Sequence, residues 1–189
     1  MNAPRLSPLV AGLLFLTLAL TWGSSFILMK RGLMSFSYQQ IGFLRIFSAW
    51  LFTCIIGFGY FRYFRRKDLL SLAGVGLFGN AIPYVLFPLA VSHLDSSLVG
   101  ILNSMVPLLT LLIGVIWFGI RVKLLSIIGI LIGFLGAVWL LVPGMEIQVE
   151  RLTYGAFPIL ATICYAISIN IINTRLTELH PVAITLLSL

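Results

Sequence analysis

The feature that most constrains this chain is a succession of uninterrupted apolar stretches, each close to the length of a bilayer crossing. A helix needs roughly 20 apolar residues to cross the hydrocarbon layer. Lipid offers no water to backbone N–H and C=O groups, so a crossing segment is either a helix or a strand of a closed barrel. Barrel strands alternate apolar and polar residues over short segments, whereas these stretches are continuous. The expected fold is an all-α integral membrane protein, a polytopic helical bundle. Composition agrees, with 60% of residues hydrophobic and 9% charged. A soluble domain carries about 25% charged residues, and this chain has too few to cover a surface facing water.

Six spans are expected, at residues 9–29, 38–60, 69–92, 98–118, 124–142 and 154–173, followed by the start of a seventh. The first is expected to be a span rather than a cleaved leader: its apolar stretch continues through Trp22 to Met29 and no small-residue cleavage pattern closes it. The net charge of +7 resides in short loops, as membrane topology requires, which argues against a nucleic-acid partner. With the N-terminus inside, the inner segments hold eight basic residues: Arg5, Arg62, Arg65, Arg66, Lys67, Arg121, Lys123 and Arg175. The outer loops hold three, Lys30, Arg31 and Arg151. That imbalance puts the N-terminus in the cytoplasm, and the expected location is a bacterial cytoplasmic (inner) membrane. Cys54 and Cys164 lie in apolar stretches and read as packing residues. No spacing suggests a metal site or a cofactor.

The longest connection, 143–153, is expected to join two halves. Placing Tyr165 under Trp22 without gaps puts Ser168 under Ser25, Leu176 under Leu33, Ile184 under Ile41 and Leu187 under Leu44. Five spans per half is an odd number, so a true repeat is inverted in the membrane, an arrangement common among secondary transporters. The expected organisation is a first repeat at 1–142, a connection at 143–153 and the start of a second repeat at 154–189. On this reading the second half stops opposite the second span, and the chain is expected to continue beyond Leu189.

Several segments resemble the drug/metabolite transporter superfamily, specifically its ten-helix EamA-type members. The first span carries Trp22-Gly23-Ser24-Ser25-Phe26, similar to the family's opening pattern, and the second carries Phe43-Leu44-Arg45. The turn from Ala90 to Ser97, the sequence Asn103-Ser104-Met105-Val106-Pro107 and the spaced Gly129, Gly133 and Gly136 follow in the family's order. One departure is Gly119-Ile120-Arg121, where the family commonly has an acidic residue between Gly and Arg. The resemblance implies a five-plus-five inverted repeat around a central cavity, of which this chain holds about six and a half helices.

Polar groups within a span are costly in lipid and are the natural site candidates. Arg45 stands about 10 Å into its span at ~1.5 Å per residue; it either attracts an anionic substrate or snorkels to the outer interface. Trp22 and Ser25, with Ser24, either line a cavity or pack between helices. Asn80 and Tyr84 share one helix face, and Pro83 and Pro88 in the same span free carbonyls and bend the helix. Asn103 and Ser104 with Pro107 form a similar group in the fourth span. Tyr165, Ser168 and Asn170 are the sixth-span counterpart of the first-span cluster. The candidate cavity is thus Trp22, Ser25, Arg45, Asn80, Tyr84, Asn103, Tyr165 and Asn170, with bends or gates at Pro83, Pro88 and Pro107. Gly74, Gly76 and Gly79, and likewise Gly129, Gly133 and Gly136, are expected at close helix contacts. Lys30 and Arg31 are expected to anchor a helix end, and His93 to be interfacial.

All five acidic residues (Asp68, Asp95, Glu146, Glu150 and Glu178) fall in loops or at helix ends. The chain thus lacks an intramembrane carboxylate for a proton relay, and organic cations are not expected as main cargo. No Gly-x-x-x-x-Gly-Lys-Ser/Thr run is present, so it is not expected to hydrolyse ATP. The expected function is secondary transport of small metabolites, amino-acid-like or other polar or amphipathic solutes, with export by alternating access. The partners expected are that small-molecule substrate and the lipid bilayer; a homo-oligomer and a coupling ion or counter-substrate stay open. The alternatives are a structural or truncated membrane subunit and an intramembrane enzyme. The second lacks His-Glu-x-x-His, paired intramembrane Asp or a mid-span His.

Overall fold

The computed structural model describes residues 7–141 and 153–189. Every regular element among them is helical. α1 spans Pro8–Gly32, α2 Tyr38–Gly57, α3 Leu69–Gly76, α4 Ile82–His93 and α5 Ser96–Asn103. α6 spans Val106–Phe118, α7 Leu124–Leu141, α8 Ala156–Arg175 and α9 Pro181–Ser188. Five helical stretches among the described residues are long and apolar enough to cross a membrane: Pro8–Gly32, Tyr38–Tyr63, Arg66–His93, Ser96–Phe118 and Thr153–Arg175. The fifth expected span appears as α7, and α9 begins the seventh. The chain is an integral, multi-pass helical membrane protein. Most of the connection expected at 143–153, and with it Glu146, Glu150 and Arg151, lies outside the described residues, as does Arg5.

The helix limits follow from local chemistry. Ser37 caps α2 by accepting from the Gln40 N–H, while the Gln40 side chain accepts from the Ser37 N–H, a reciprocal capping box. The third span is broken where the sequence places Pro83. A π-helical turn over Leu77–Ala81 separates α3 from α4, and the Ile82 N–H reaches back five residues to Leu77 O. Widening the turn accommodates a ring that brings no N–H of its own. The fourth span breaks at Ser104 and Met105, just before Pro107, in a tighter turn where the Met105 N–H reaches only three residues back, to Leu102 O at 3.2 Å. Gly119 closes α6 in the left-handed conformation, with φ 63°, which glycine adopts without Cβ strain.

Side-chain contacts fix how the helices run. At one face Lys30 Nζ donates to the carbonyls of Val91 at 3.0 Å and Leu94 at 3.2 Å, and His93 stacks on Tyr154 with ring centroids 3.7 Å apart. At the other, Arg65 and Lys67 pair with Glu178 at 2.8 and 3.3 Å, and Tyr60 lies 4.6 Å from His180, ring to ring. α1 therefore ends on the face where α8 begins, and the two run in opposite directions. In the register that sets Tyr165 under Trp22, the last residue of α1, Gly32, falls on the last of α8, Arg175, and the first of α2, Tyr38, falls on the first of α9, Pro181. Even the caps correspond: the side chains of Ser37 and His180 both accept from the helix that follows.

Two apolar clusters form the interior. One joins Phe26, Met29, Ile41, Phe87, Val91, Val99 and Ala161 from α1, α2, α4, α5 and α8. The other joins Leu72, Val75, Leu176, Leu179 and Ile184 around α3 and α9. Large apolar residues such as Phe15, Leu28, Ile55 and Trp139 point outward, which lipid tolerates because its tails are as apolar as they are. One expectation is corrected here. A Cβ added at Gly129, Gly133 or Gly136 would meet nothing within 4 Å, so these glycines make no close helix contact among the described residues. Their face of α7 has no neighbouring described helix to approach. Gly74, Gly76 and Gly79 do stand against other helices.

Candidate functional site

Between the two apolar clusters lies a cavity of about 300 Å³ whose wall includes Trp22, Gly79, Asn80, Tyr84, Tyr165 and Ser168. It sits near mid-membrane: Tyr84 and Tyr165 are each nine residues from a helix end, about 14 Å at ~1.5 Å per residue. α1, the third span, α8 and α9 each contribute. Four of the eight candidate residues thus meet at one place, and two of them, Trp22 and Tyr165, are the pair that the internal repeat superposes.

Local structure presents each side chain. Trp22 is 48% exposed, so much of its indole is free for contact. Tyr165 is held by Phe87, ring centroids 5.6 Å apart, and Phe87 meets Phe26 edge-on at 5.7 Å. Asn80 sits in the π-helical turn and its amide donates to Ser188 O at 3.2 Å. Pro88 leaves the carbonyl of Tyr84, four residues back, without a helical partner. Gly42 of α2 covers that carbonyl so closely that a Cβ there would stand 2.6 Å from the oxygen, which leaves room for a Cα–H···O contact. The prolines therefore shape the span where it faces the cavity. Pro83 and Pro88 are buried; Pro107 is exposed on α6.

The other candidates are placed elsewhere. Arg45 and Ser25 line a separate cleft of about 370 Å³ between α1 and α2. The Arg45 guanidinium donates to Met29 Sδ at 3.0 Å and lies 4.6 Å from the centre of the Tyr84 ring, so Tyr84 stands between cleft and cavity. Asn103 is buried, its Oδ1 has no partner, and it lines a third cavity of about 500 Å³ with Trp22, Ser96, Ser97 and Ser104. Trp22 borders both this outer cavity and the central one. Asn170 is fully buried against α6, where its amide donates to Thr110 O and Ala166 O, each at 2.8 Å. It ties α8 to α6 and is not among the residues of the central cavity.

Sequence reasoning left out the contribution of α9. Ile184, Thr185 and Ser188 all line the central cavity. The repeat carried the signal: Ser188 falls under Arg45, and both reach the third span, Ser188 at Asn80 and Arg45 at Tyr84.

An aromatic wall, a few hydroxyl and amide groups and one cation within 5 Å of that wall suit a small amphipathic guest, and the volumes fall at or near the range of ligand pockets, about 300–1,000 Å³. Among the described residues the carboxylates stand at helix ends or turns, and no three His, Cys, Asp or Glu side chains cluster as a metal site would need. Comparison with known proteins decides the family, because the EamA-like transporter family matches residues 9–142. The chain belongs to this family. Like the expected first repeat, the matched region ends at residue 142. An uncharacterized transporter of Archaeoglobus fulgidus is 28% identical over 176 residues, covering 90% of this chain and 61% of that protein. The chain thus spans about three-fifths of that relative's length. No solved structure matches it.

Proposed function

We propose that this EamA-like chain works as a secondary carrier of small metabolites, amino-acid-like or otherwise polar or amphipathic, binding them in the central cavity. The observation that carries the reading is the convergence of Trp22, Asn80, Tyr84 and Tyr165, from three separate spans, on one space at mid-membrane. A structural subunit has no need to gather polar and aromatic groups at a depth where each is costly. Transport proceeds by alternating access between two inverted halves, in the direction of export. The antiparallel course of α1 and α8 and the shared register of their ends support the inverted repeat. We place the protein in a bacterial cytoplasmic membrane with the N-terminus inside. The pairing of Arg65 and Lys67 with Glu178 supports part of this topology, since it brings two loops assigned to the inside onto one face.

The test is substrate-dependent flux in proteoliposomes holding the protein in a known orientation. Trp22→Ala and Tyr84→Ala should each lower flux at least about tenfold, as loss of an aromatic contact with the substrate worth about 1.5–3 kcal/mol would do, with membrane abundance unchanged. Wild-type flux in both variants removes the central cavity from the transport path. Absence of flux for every solute class in the wild type sinks the carrier reading itself.

A further inference from the structure

Among the described residues Arg45 is a cation without a counter-charge. Its guanidinium is always protonated and carries five N–H donors. The structure gives it one side-chain acceptor, the weakly accepting Met29 Sδ at 3.0 Å, and the ring face of Tyr84 at 4.6 Å. Both attract a cation, and neither cancels its charge. The two ion pairs among the described residues are those of Glu178 at the opposite face, and no described carboxylate stands in the interior of a span: Asp68 is at the start of its own, at that same opposite face. An unpaired charge held away from water is costly unless something neutralises it.

The surroundings indicate what that is. The cleft that Arg45 lines is otherwise walled by Leu28, Met29, Ile41 and Leu44, with Ser25 and Ser48 as its other polar members. The Ser25 hydroxyl donates to Trp22 O at 2.7 Å and that of Ser48 to Leu44 O at 2.6 Å. Their protons are used within their own helices, which leaves the Arg45 N–H groups as the free donors of the cleft. One fixed cation beside an apolar wall matches a guest with one negative charge and an apolar body. A dianion such as a phosphate monoester would need a second cation, and the other Lys and Arg side chains of the described residues lie in loops or at helix ends.

We propose that Arg45 is a substrate-selecting residue that holds the carboxylate of an amphipathic monocarboxylate. The inference rests on the carrier reading and gives its cargo a chemical class. Its planar fork suits a carboxylate in two-point contact, and Tyr84 behind the guanidinium couples that contact to the central cavity.

Binding is measured by calorimetry at neutral pH on the whole protein in phosphatidylcholine nanodiscs. Three probes share one body and differ in charge: phenylacetate, phenylacetamide and phenethylamine. A charge-assisted contact predicts phenylacetate at least about tenfold tighter than phenylacetamide, with the amine weakest. Arg45→Gln should bring phenylacetate and phenylacetamide to within about threefold of each other, with most of the change in phenylacetate. Arg45→Lys, which keeps the charge but not the fork, should keep part of the preference and guards against a folding defect in the Gln variant. Equal binding of acid and amide in the wild type, or a preference that survives Arg45→Gln, overturns the proposal. Repeating the titration with phosphatidylglycerol in the disc identifies the source of the anion. Arg45-dependent displacement of phenylacetate by the lipid supports the anion site with a head group as its occupant, and undisturbed binding supports a soluble carboxylate. Flux separates the two readings: Arg45-dependent binding without transport sinks the carrier alone, whereas equal transport of acid and amide sinks the anion site alone.

Discussion

In the third span, Gly74, Gly76 and Gly79 each stand against another helix. A Cβ at Gly76 would lie 2.6 Å from the backbone oxygen of Ser188, one at Gly74 would lie 3.2 Å from Ile171, and one at Gly79 would collide with the Ser168 hydroxyl. In α7, Gly129, Gly133 and Gly136 have the same small-residue character and meet nothing within 4 Å. Spaced glycines mark where two backbones are able to approach, and a partner has to arrive for the approach to occur. For the third span that partner is α8 and α9, drawn in by the Leu72, Val75 and Leu176 cluster and by the bond from Asn80 to Ser188. The same approach brings Ser168 and Thr185 to the cavity wall, so close packing here also builds the site.

The sharpest break of this comparison is Gly76→Ala. Its methyl group meets a backbone oxygen that no rotamer change relieves, and overpacking of this kind costs about 1–3 kcal/mol. We expect a lower melting temperature of the purified protein and lower membrane abundance; a wild-type melt would mean that α9 does not approach Gly76. A smaller and opposite effect is expected in α7. Gly129→Ala, Gly133→Ala and Gly136→Ala should each be neutral or stabilising, by up to about 1 kcal/mol, because alanine favours helix and meets no neighbour. Melts that fall as far as that of Gly76→Ala would show that this face is packed against a partner after all.

The smallest effect concerns the tie at the face where α3 begins. Hydrogen bonds from Arg65 and then Lys67, reinforced by their charges, hold the Glu178 carboxyl below the usual carboxylate range. A carboxyl lowered by folding stabilises the fold above its unfolded value, about 4.3, and that contribution disappears as pH falls through the lower folded value. The pair is exposed, so the gain is slight and screened by salt. Glu178→Gln should therefore melt a little below wild type at neutral pH in low salt, and the gap should close in acid. A gap independent of pH would assign the effect to packing.

Much of the architecture was legible in the residues. The apolar stretches gave the spans to within a few positions. Pro83 and Pro107 marked breaks in the third and fourth spans, although the π-helical form of the first break was not foreseen. In the register of the gapless repeat the ends of α1 and α8 coincide, as do the starts of α2 and α9. The grouping of the candidate residues was legible in part. Trp22, Asn80, Tyr84 and Tyr165 share a cavity, while Arg45 and Ser25 occupy a neighbouring cleft, Asn103 an outer one, and Asn170 a helix contact. Asn170 illustrates why: its residue type and depth match those of a cavity residue, but its face of α8 is the one turned to α6.

By itself the sequence determined the solvent, the secondary structure and the order of the spans. Each of these depends on a local quantity, the length and polarity of one segment measured against the thickness of a bilayer. Only the tertiary structure decided which glycines are covered, which polar groups meet, and that Arg45 turns toward Met29 and Tyr84. Those outcomes depend on the rotation of each helix about its axis and on contacts between residues far apart in the chain. Lipid exerts no hydrophobic force that selects one apolar face over another, so packing and a few interhelical hydrogen bonds make the choice.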